Sequence, residues 1–236
     1  MPRRNGMFIT FEGSDGSGKS TQAELLARSL RRAGLEVIET REPGGSPRAE
    51  AIRELLLSGK AAPLGAFAET MLFNAARADH LRATIRPALA RGAIVICDRF
   101  ADSTRAYQGV LGKIRDDLLA AAEAAVVGDT APDLTIILDL PADVTVERLR
   151  ARREAGGEMS DKFEEEALAH HEALRHAFLD IAARAPARCV VLSAQTSVEE
   201  LAQAILRLVE ERLGTDRGRS VPRPSRSSDA RPRRRR

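Results

Sequence analysis

Gly13-Ser14-Asp15-Gly16-Ser17-Gly18-Lys19-Ser20 fits the pattern G-x-x-x-x-G-K-[ST], and Thr21 follows it directly. An apolar run, Met7–Phe11, precedes it, and a helical pattern over Lys19–Ala33 begins inside it. Strand, glycine-rich loop and helix in that order make a phosphate cradle. The glycines let the backbone curl so that successive N–H groups face phosphate oxygens, and the helix N-terminus adds the positive end of its dipole. Lys19 supplies a point charge for the β- and γ-phosphates, and Ser20 supplies an oxygen for Mg²⁺. Residues 13–21 are therefore expected to bind a nucleoside triphosphate. Asp15 does not suit that role, because a carboxylate repels phosphate. It is expected to face a second substrate and accept a hydrogen bond from a hydroxyl.

Working outward, short β-branched runs alternate with longer helical patterns. Strands are expected at Met7–Phe11, Glu36–Thr40, Ala93–Cys97, Leu134–Leu140 and Cys189–Leu192. Helices are expected at Lys19–Ala33, Arg48–Leu57, Ala66–Ala90, Arg115–Val126, Asp143–Arg153, Asp161–Arg184 and Ser197–Leu213, the last opened by the capping box Ser197-x-x-Glu200. The strand runs do not alternate cleanly, as befits strands covered on both faces. Strand–helix alternation implies right-handed βαβ units and a parallel sheet.

The 236 residues are 43% hydrophobic and 30% charged, the make-up of an ordinary globular chain long enough to bury a core without staples. With no Trp and one Tyr, an aromatic platform for single-stranded nucleic acid is excluded. Cys97 and Cys189 each sit in an apolar run and are expected to be buried, reduced thiols. No apolar stretch reaches membrane-spanning or signal-peptide length, so a cytoplasmic protein is expected. Residues 214–236 hold nine Arg and two Asp, a charge of +7, which leaves −4 for residues 1–213 of a chain whose net charge is +3. That Arg-, Pro- and Ser-rich segment is expected to be a disordered tail, with at most weak, non-functional contact to nucleic acid.

Further pieces follow the cradle: Phe11-Glu12-Gly13, Arg41-Glu42-Pro43-Gly44-Gly45, Phe73-Asn74-Ala75-Ala76-Arg77, Asp98-Arg99-Phe100 and Ser103-Thr104-Arg105-Ala106-Tyr107-Gln108-Gly109. In order and spacing the chain resembles the bacterial thymidylate kinases from about Met7 to Leu213. The resemblance implies a three-layer P-loop NTPase fold of α/β class, a five-stranded parallel sheet flanked by helices, and a mobile lid at about 148–162. It also implies ATP-dependent phosphorylation of dTMP to dTDP with Mg²⁺ in a homodimer.

Each piece has a chemical reading beside the resemblance. Arg41 and Pro43 lie in a loop beyond a strand's carboxyl end, where ligands of parallel sheets sit. Phe73 and Arg77 are four apart on one helix face, one able to stack on a base and the other to reach its edge or phosphate. Asp98 ends a strand beside the phosphate loop, where P-loop proteins hold Mg²⁺, and Arg99 is placed to clamp the acceptor phosphate. Thr104, Tyr107 and Gln108 resemble the family residues around thymine and deoxyribose, with the Tyr107 ring excluding a 2′-hydroxyl. Arg148, Arg150, Arg152 and Arg153, followed by Gly156-Gly157 and Asp161-Lys162-Phe163, resemble a hinged lid. Family members carry a catalytic Arg in the phosphate loop or in the lid. Residues 14–17 contain none, so a lid arginine, with Arg152 as candidate, joins Lys19, Arg99 and Asp15 as the expected catalytic set. Phosphotransfer to another monophosphate remains an alternative. A P-loop switch is the other, but the guanine-reading N-K-x-D pattern is absent from the sequence.

Overall fold

A computed structural model describes residues 6–153 and 161–219, without the side chains of 152–153, 161–166 and 215–219. Five strands, β1 (Phe8–Glu12), β2 (Val37–Arg41), β3 (Ile94–Asp98), β4 (Leu134–Asp139) and β5 (Cys189–Ser193), form one parallel sheet in the order β2-β3-β1-β4-β5. The register sets Phe11 beside Asp98 and Glu12 beside Ile137, so the ends of β1 and β3 meet where the phosphate loop begins. The three inner strands are buried on both faces, whereas the edge strands β2 and β5 start at a buried residue and then alternate between partly buried and exposed positions. The expected lack of alternation therefore holds only for strands with helices over both sides.

Alternate residues pack on opposite faces of the sheet. Ile9, Phe11, Ile94, Ile96, Leu134 and Ile136 pack under α1 (Lys19–Arg32) and α9 (Val198–Arg219). Phe8, Val95 and Cys97 face the opposite way, packing with Leu81, Ile85, Leu89 and Phe100. The intervening helices are α2 (Pro47–Leu57), α3 (Gly65–His80), α4 (Arg86–Ala90), α5 (Ala101–Thr104), α6 (Asp116–Val127), α7 (Ala142–Arg153) and α8 (Asp161–Arg184). Cys97 and Cys189 are both buried and unbridged. Among the described residues no helix is long and apolar enough to cross a membrane.

Three elements differ from expectation. The helix expected at Ala66–Ala90 is interrupted by a π-turn, Leu81–Ile85. Pro87, near the start of α4, has no N–H to donate back into the preceding turn, and the wider π-turn accommodates this. Ala101–Leu111 is helical, with Arg105–Leu111 as a π-segment, although its Asp, Ser, Thr and Gly content gave no helical signal. Finally, α9 runs on to Arg219, past Gly214, since no proline intervenes before Pro222. Residues 220–236 of the expected tail lie outside the described residues.

Candidate active site

The phosphate loop leaves β1 at Gly13 (φ 131°), where a β-carbon would come within 2.5 Å of the Leu138 carbonyl oxygen, so only glycine lets the loop pass β4 this closely. The buried Lys19 Nζ folds back over the loop and donates to the Ser14 carbonyl at 2.7 Å. Burial lowers its pKa to about 8, which leaves an under-compensated cation where an anion would be welcome. From behind, Arg148 on α7 donates to the carbonyls of Gly16 and Ala194, each at 3.2 Å, and Ser14 Oγ meets Thr145 Oγ1 at 3.4 Å. Arg148 thus braces the back of the loop and lines neither cavity described below. Arg150 lies further along α7, while the side chains of Arg152 and Arg153, the pair Gly156-Gly157 and the side chains of Asp161-Lys162-Phe163 lie outside the described residues.

Ser20 Oγ donates to Asp98 Oδ2. The other carboxylate oxygen, Asp98 Oδ1, is buried without a hydrogen-bond partner, as is Ser17 Oγ. One hydroxyl and one under-satisfied carboxylate at the mouth of a phosphate loop suit a hard divalent cation that keeps most of its waters and takes its remaining ligands from phosphate. Among the described residues no group of three or more acidic, His or Cys side chains forms an all-protein metal cage.

The Asp15 carboxylate is held by two donors from the segment that follows β3. Arg99 Nη2 donates to Asp15 Oδ1 at 2.5 Å, and the Tyr107 hydroxyl donates to Asp15 Oδ2 at 3.2 Å. The Arg99 guanidinium also lies 5.1 Å from the centre of the Tyr107 ring. Burial opposes ionisation of Asp15, yet Arg99 and Lys19 hold its pKa below the usual range. Burial pushes Tyr107 up to about 12, so it stays a neutral donor. Phe178 of α8 meets the Tyr107 ring edge-on, with centroids 6.4 Å apart.

A second ionic cluster forms the floor. Arg77 Nε donates to Glu42 Oε2 at 2.7 Å, Arg77 Nη2 to Thr104 Oγ1 at 2.9 Å, and the guanidinium lies 5.1 Å from the centre of the Phe100 ring. Glu42 Oε1 meets His80 Nδ1 at 3.1 Å, and His80 Nε2 meets Thr40 Oγ1 at 2.7 Å. Gly45 (φ 82°) is required here, since a β-carbon would sit 2.3 Å from His80 Nε2. The Glu42–Pro43 peptide is cis. Phe100 itself is buried in the core against Phe8, with ring centroids 5.0 Å apart, so its position is satisfied by an apolar ring.

Two cavities meet at Asp15, Glu42 and Arg99. One holds Gly16, Gly18, Lys19, Ser20 and Thr21 together with Asp98, Arg41 and Arg53. The other holds Pro43, Phe73, Arg77, Thr104, Tyr107 and Gln108. The expected acceptor residues and, of the expected donor set, Asp15, Gly16 and Gly18–Thr21 thus line adjoining spaces, whereas Gly13, Ser14 and Ser17 line neither, and Arg41 lies on the phosphate side, paired at 3.2 Å with Glu50. Glu12, Glu42, Arg53 and Ser103 carried no expected role. Arg53, half-buried on α2, donates to the Pro43 carbonyl at 2.7 Å beside the same cavity. Its position two turns into the helix after Gly44-Gly45 is the signal that could have found it.

Comparison with known proteins agrees with this geometry. The thymidylate kinase family profile matches residues 11–205. A thymidylate kinase of Caulobacter vibrioides is 54% identical over 209 residues, covering 89% of this chain and 98% of its own. Another from Nitrobacter hamburgensis is 52% identical over 208 residues, covering 88% and 90%. The crystal structure of thymidylate kinase from Ehrlichia chaffeensis superposes with a TM-score of 0.69 at 35% identity, over 87% of this chain and 98% of that one.

Proposed function

The chain belongs to the thymidylate kinase family, and from that premise we propose how its residues divide the work of phosphorylating dTMP to dTDP with ATP and Mg²⁺. The observation that carries the division is the junction at Asp15, Glu42 and Arg99, which joins a glycine-built phosphate cradle to an arginine- and aromatic-lined pocket. ATP lies along the cradle 13–21 with its γ-phosphate toward Arg99. The dTMP base stacks on Phe73, with Arg77, Thr104 and Gln108 toward its edge, Pro43 at its side and Tyr107 beneath the sugar. Asp15 accepts a hydrogen bond from the sugar hydroxyl.

Arg99, Arg53 and Arg41 surround the acceptor phosphate. One of its oxygens attacks the γ-phosphorus in line, the β–γ bridging bond breaks, and its electron pair leaves on the β-phosphate of ADP. The reaction is mainly a problem of positioning and charge stabilisation. Lys19 follows the charge that spreads over the β- and γ-oxygens, and a lid arginine, with Arg152 as candidate, completes the clamp. Ser20 and Asp98 would hold Mg²⁺, which the unpartnered Asp98 Oδ1 fits; when bound, the ion neutralises charge on the same phosphates.

Two readings come with membership alone. The exposed Leu64 and Phe67 at the start of α3 offer apolar surface to a second copy, in keeping with a homodimer, which sedimentation would register as twice the chain mass. Two buried free thiols suit the reducing cytoplasm. The direct test mixes ATP and Mg²⁺ with a panel of nucleoside monophosphates and follows ADP. Turnover with dTMP far above the others is expected; turnover independent of any acceptor would defeat the assignment.

A further inference from the structure

Arg99 turns from β3 into α5 with φ 69°, a left-handed conformation that a residue with a side chain keeps only where its surroundings hold it. Those surroundings come from the end of β1. The Arg99 N–H donates to the Phe11 carbonyl at 2.9 Å, and the next amide, of Phe100, donates to Glu12 Oε1 at 2.8 Å. Glu12 Oε2 accepts from Ser103 Oγ at 2.6 Å, and Ser103 Oγ in turn accepts from Arg99 Nη1 at 3.0 Å. The far nitrogen of the same guanidinium is the one that reaches Asp15.

Glu12 lines neither cavity and is fully buried. Burial, with the charge of Asp102 next, pushes its pKa up to about 7. A buried carboxylate is expensive unless its charge and both oxygens are used. Both of these oxygens are used, one on the backbone of the strained turn and one on the hydroxyl that locates the guanidinium.

We infer that Glu12 is the positioning residue for Arg99, fixing its left-handed turn and, through Ser103, aiming its guanidinium at the acceptor phosphate. The inference rests on the role proposed above for Arg99, so the two are tested separately. Glu12 lines neither cavity itself: it holds the turn directly through the Phe100 amide and reaches one guanidinium nitrogen through Ser103, while Asp15 and Tyr107 hold the other.

The experiment compares wild type, R99A, E12Q, S103A and the double variant E12Q/R99A at about pH 8, above the Glu12 midpoint. E12Q keeps the size of the side chain and an acceptor for the Phe100 amide but removes the charge. It should lower kcat/KM for dTMP by about tenfold to a hundredfold, chiefly through KM, as expected for a misplaced binding group. The KM for ATP should stay at the wild-type value. Because Glu12 acts through Arg99, E12Q should cost nothing further in the R99A background, a coupling that general loosening of the fold would not produce. Wild-type kinetics for E12Q, or a full additional loss in the double variant, overturns the inference. If R99A itself leaves the KM for dTMP unchanged, the reading of Arg99 fails, and the inference with it. Should E12Q not fold, S103A decides: a loss confined to dTMP and absent from S103A/R99A supports the relay, and unaltered S103A kinetics overturn it.

Discussion

The donor half proposed for the site rests mainly on one consecutive stretch, Asp15–Thr21, with Asp98 brought in from β3, whereas the proposed acceptor half is gathered from residues as far apart as Asp15 and Gln108. Backbone builds the first: glycines, a helix terminus and one folded-back lysine. Paired side chains build the second: Arg77 with Glu42, 35 residues apart, and Arg99 with Asp15, 84 residues apart. The Ser14 carbonyl that Lys19 contacts also accepts the Ser17 N–H at 3.4 Å, so the lysine can be removed without leaving that carbonyl unpaired. In the acceptor half each charge is the solvation of another. Substitutions in the two halves should therefore fail in different ways, by chemistry in one and by folding in the other.

The sharpest contrast is Glu42→Ala, which strands Arg77 and His80 in the interior. Removing one partner of a buried pair typically costs about 3–5 kcal/mol, so a large fall in denaturation midpoint is expected along with lost dTMP affinity. A midpoint within a degree of wild type would erase the distinction. Lys19→Ala should instead keep the midpoint while kcat falls about 10²–10³-fold, the typical worth of one transition-state contact.

Lys19 also ties the donor half to pH. Its pKa of about 8 in the free protein lies below the ordinary 10.5, chiefly through burial. ATP favours the charged form, so its affinity should weaken above about pH 8, by at most about tenfold per pH unit for one proton. Stability of the unliganded protein should move oppositely. Between about pH 8 and 10.5 the unfolded chain holds the proton that the folded chain has lost, so unfolding becomes less favourable as pH rises. Titration calorimetry and pH-dependent melting read the two slopes, and an ATP affinity flat through this range would detach Lys19 from the triphosphate.

The smallest effects separate the acceptor surfaces from one another. Phe73→Ala removes a stacking face worth about 0.5–1.5 kcal/mol, a two- to twelvefold weakening of every acceptor. Tyr107→Ala should raise the ratio of ribo- to deoxyribonucleotide kcat/KM by relieving a clash with the 2′-hydroxyl. An unchanged ratio would leave Tyr107 as a packing and hydrogen-bonding partner of Asp15, Arg99 and Phe178.

The five strands and most of the helices were legible as hydrophobic patterns, because burial on a regular backbone repeats at short range. The cradle was legible for the same reason, as its geometry is a property of neighbouring residues. The π-segment Arg105–Leu111 was not, since contacts with α8 and α6 and not its own propensity keep it helical. Arg148 was expected in a lid from its spacing to Arg152, the glycines beyond and the resemblance, whereas its observed partners lie behind the phosphate loop. Its hydrogen bonds to the Gly16 and Ala194 carbonyls depend on α7 and the β5–α9 turn converging behind the phosphate loop.

By itself, then, the sequence determined a parallel α/β protein with a triphosphate cradle at residues 13–21 and a set of motifs in the order of a nucleotide kinase. Only the tertiary structure decided which charges answer which: Glu42 to Arg77 and His80, Asp15 to Arg99 and Tyr107, and Glu12 to the turn at Arg99. The reason is the strand order β2-β3-β1-β4-β5. By setting β1 beside β3 it brings residues 87 apart in the chain into register (Phe11 beside Asp98), so Glu12 meets Phe100 at 88 residues' separation. Partners at that range leave no periodic trace along the chain, because their spacing is set by how the sheet is assembled.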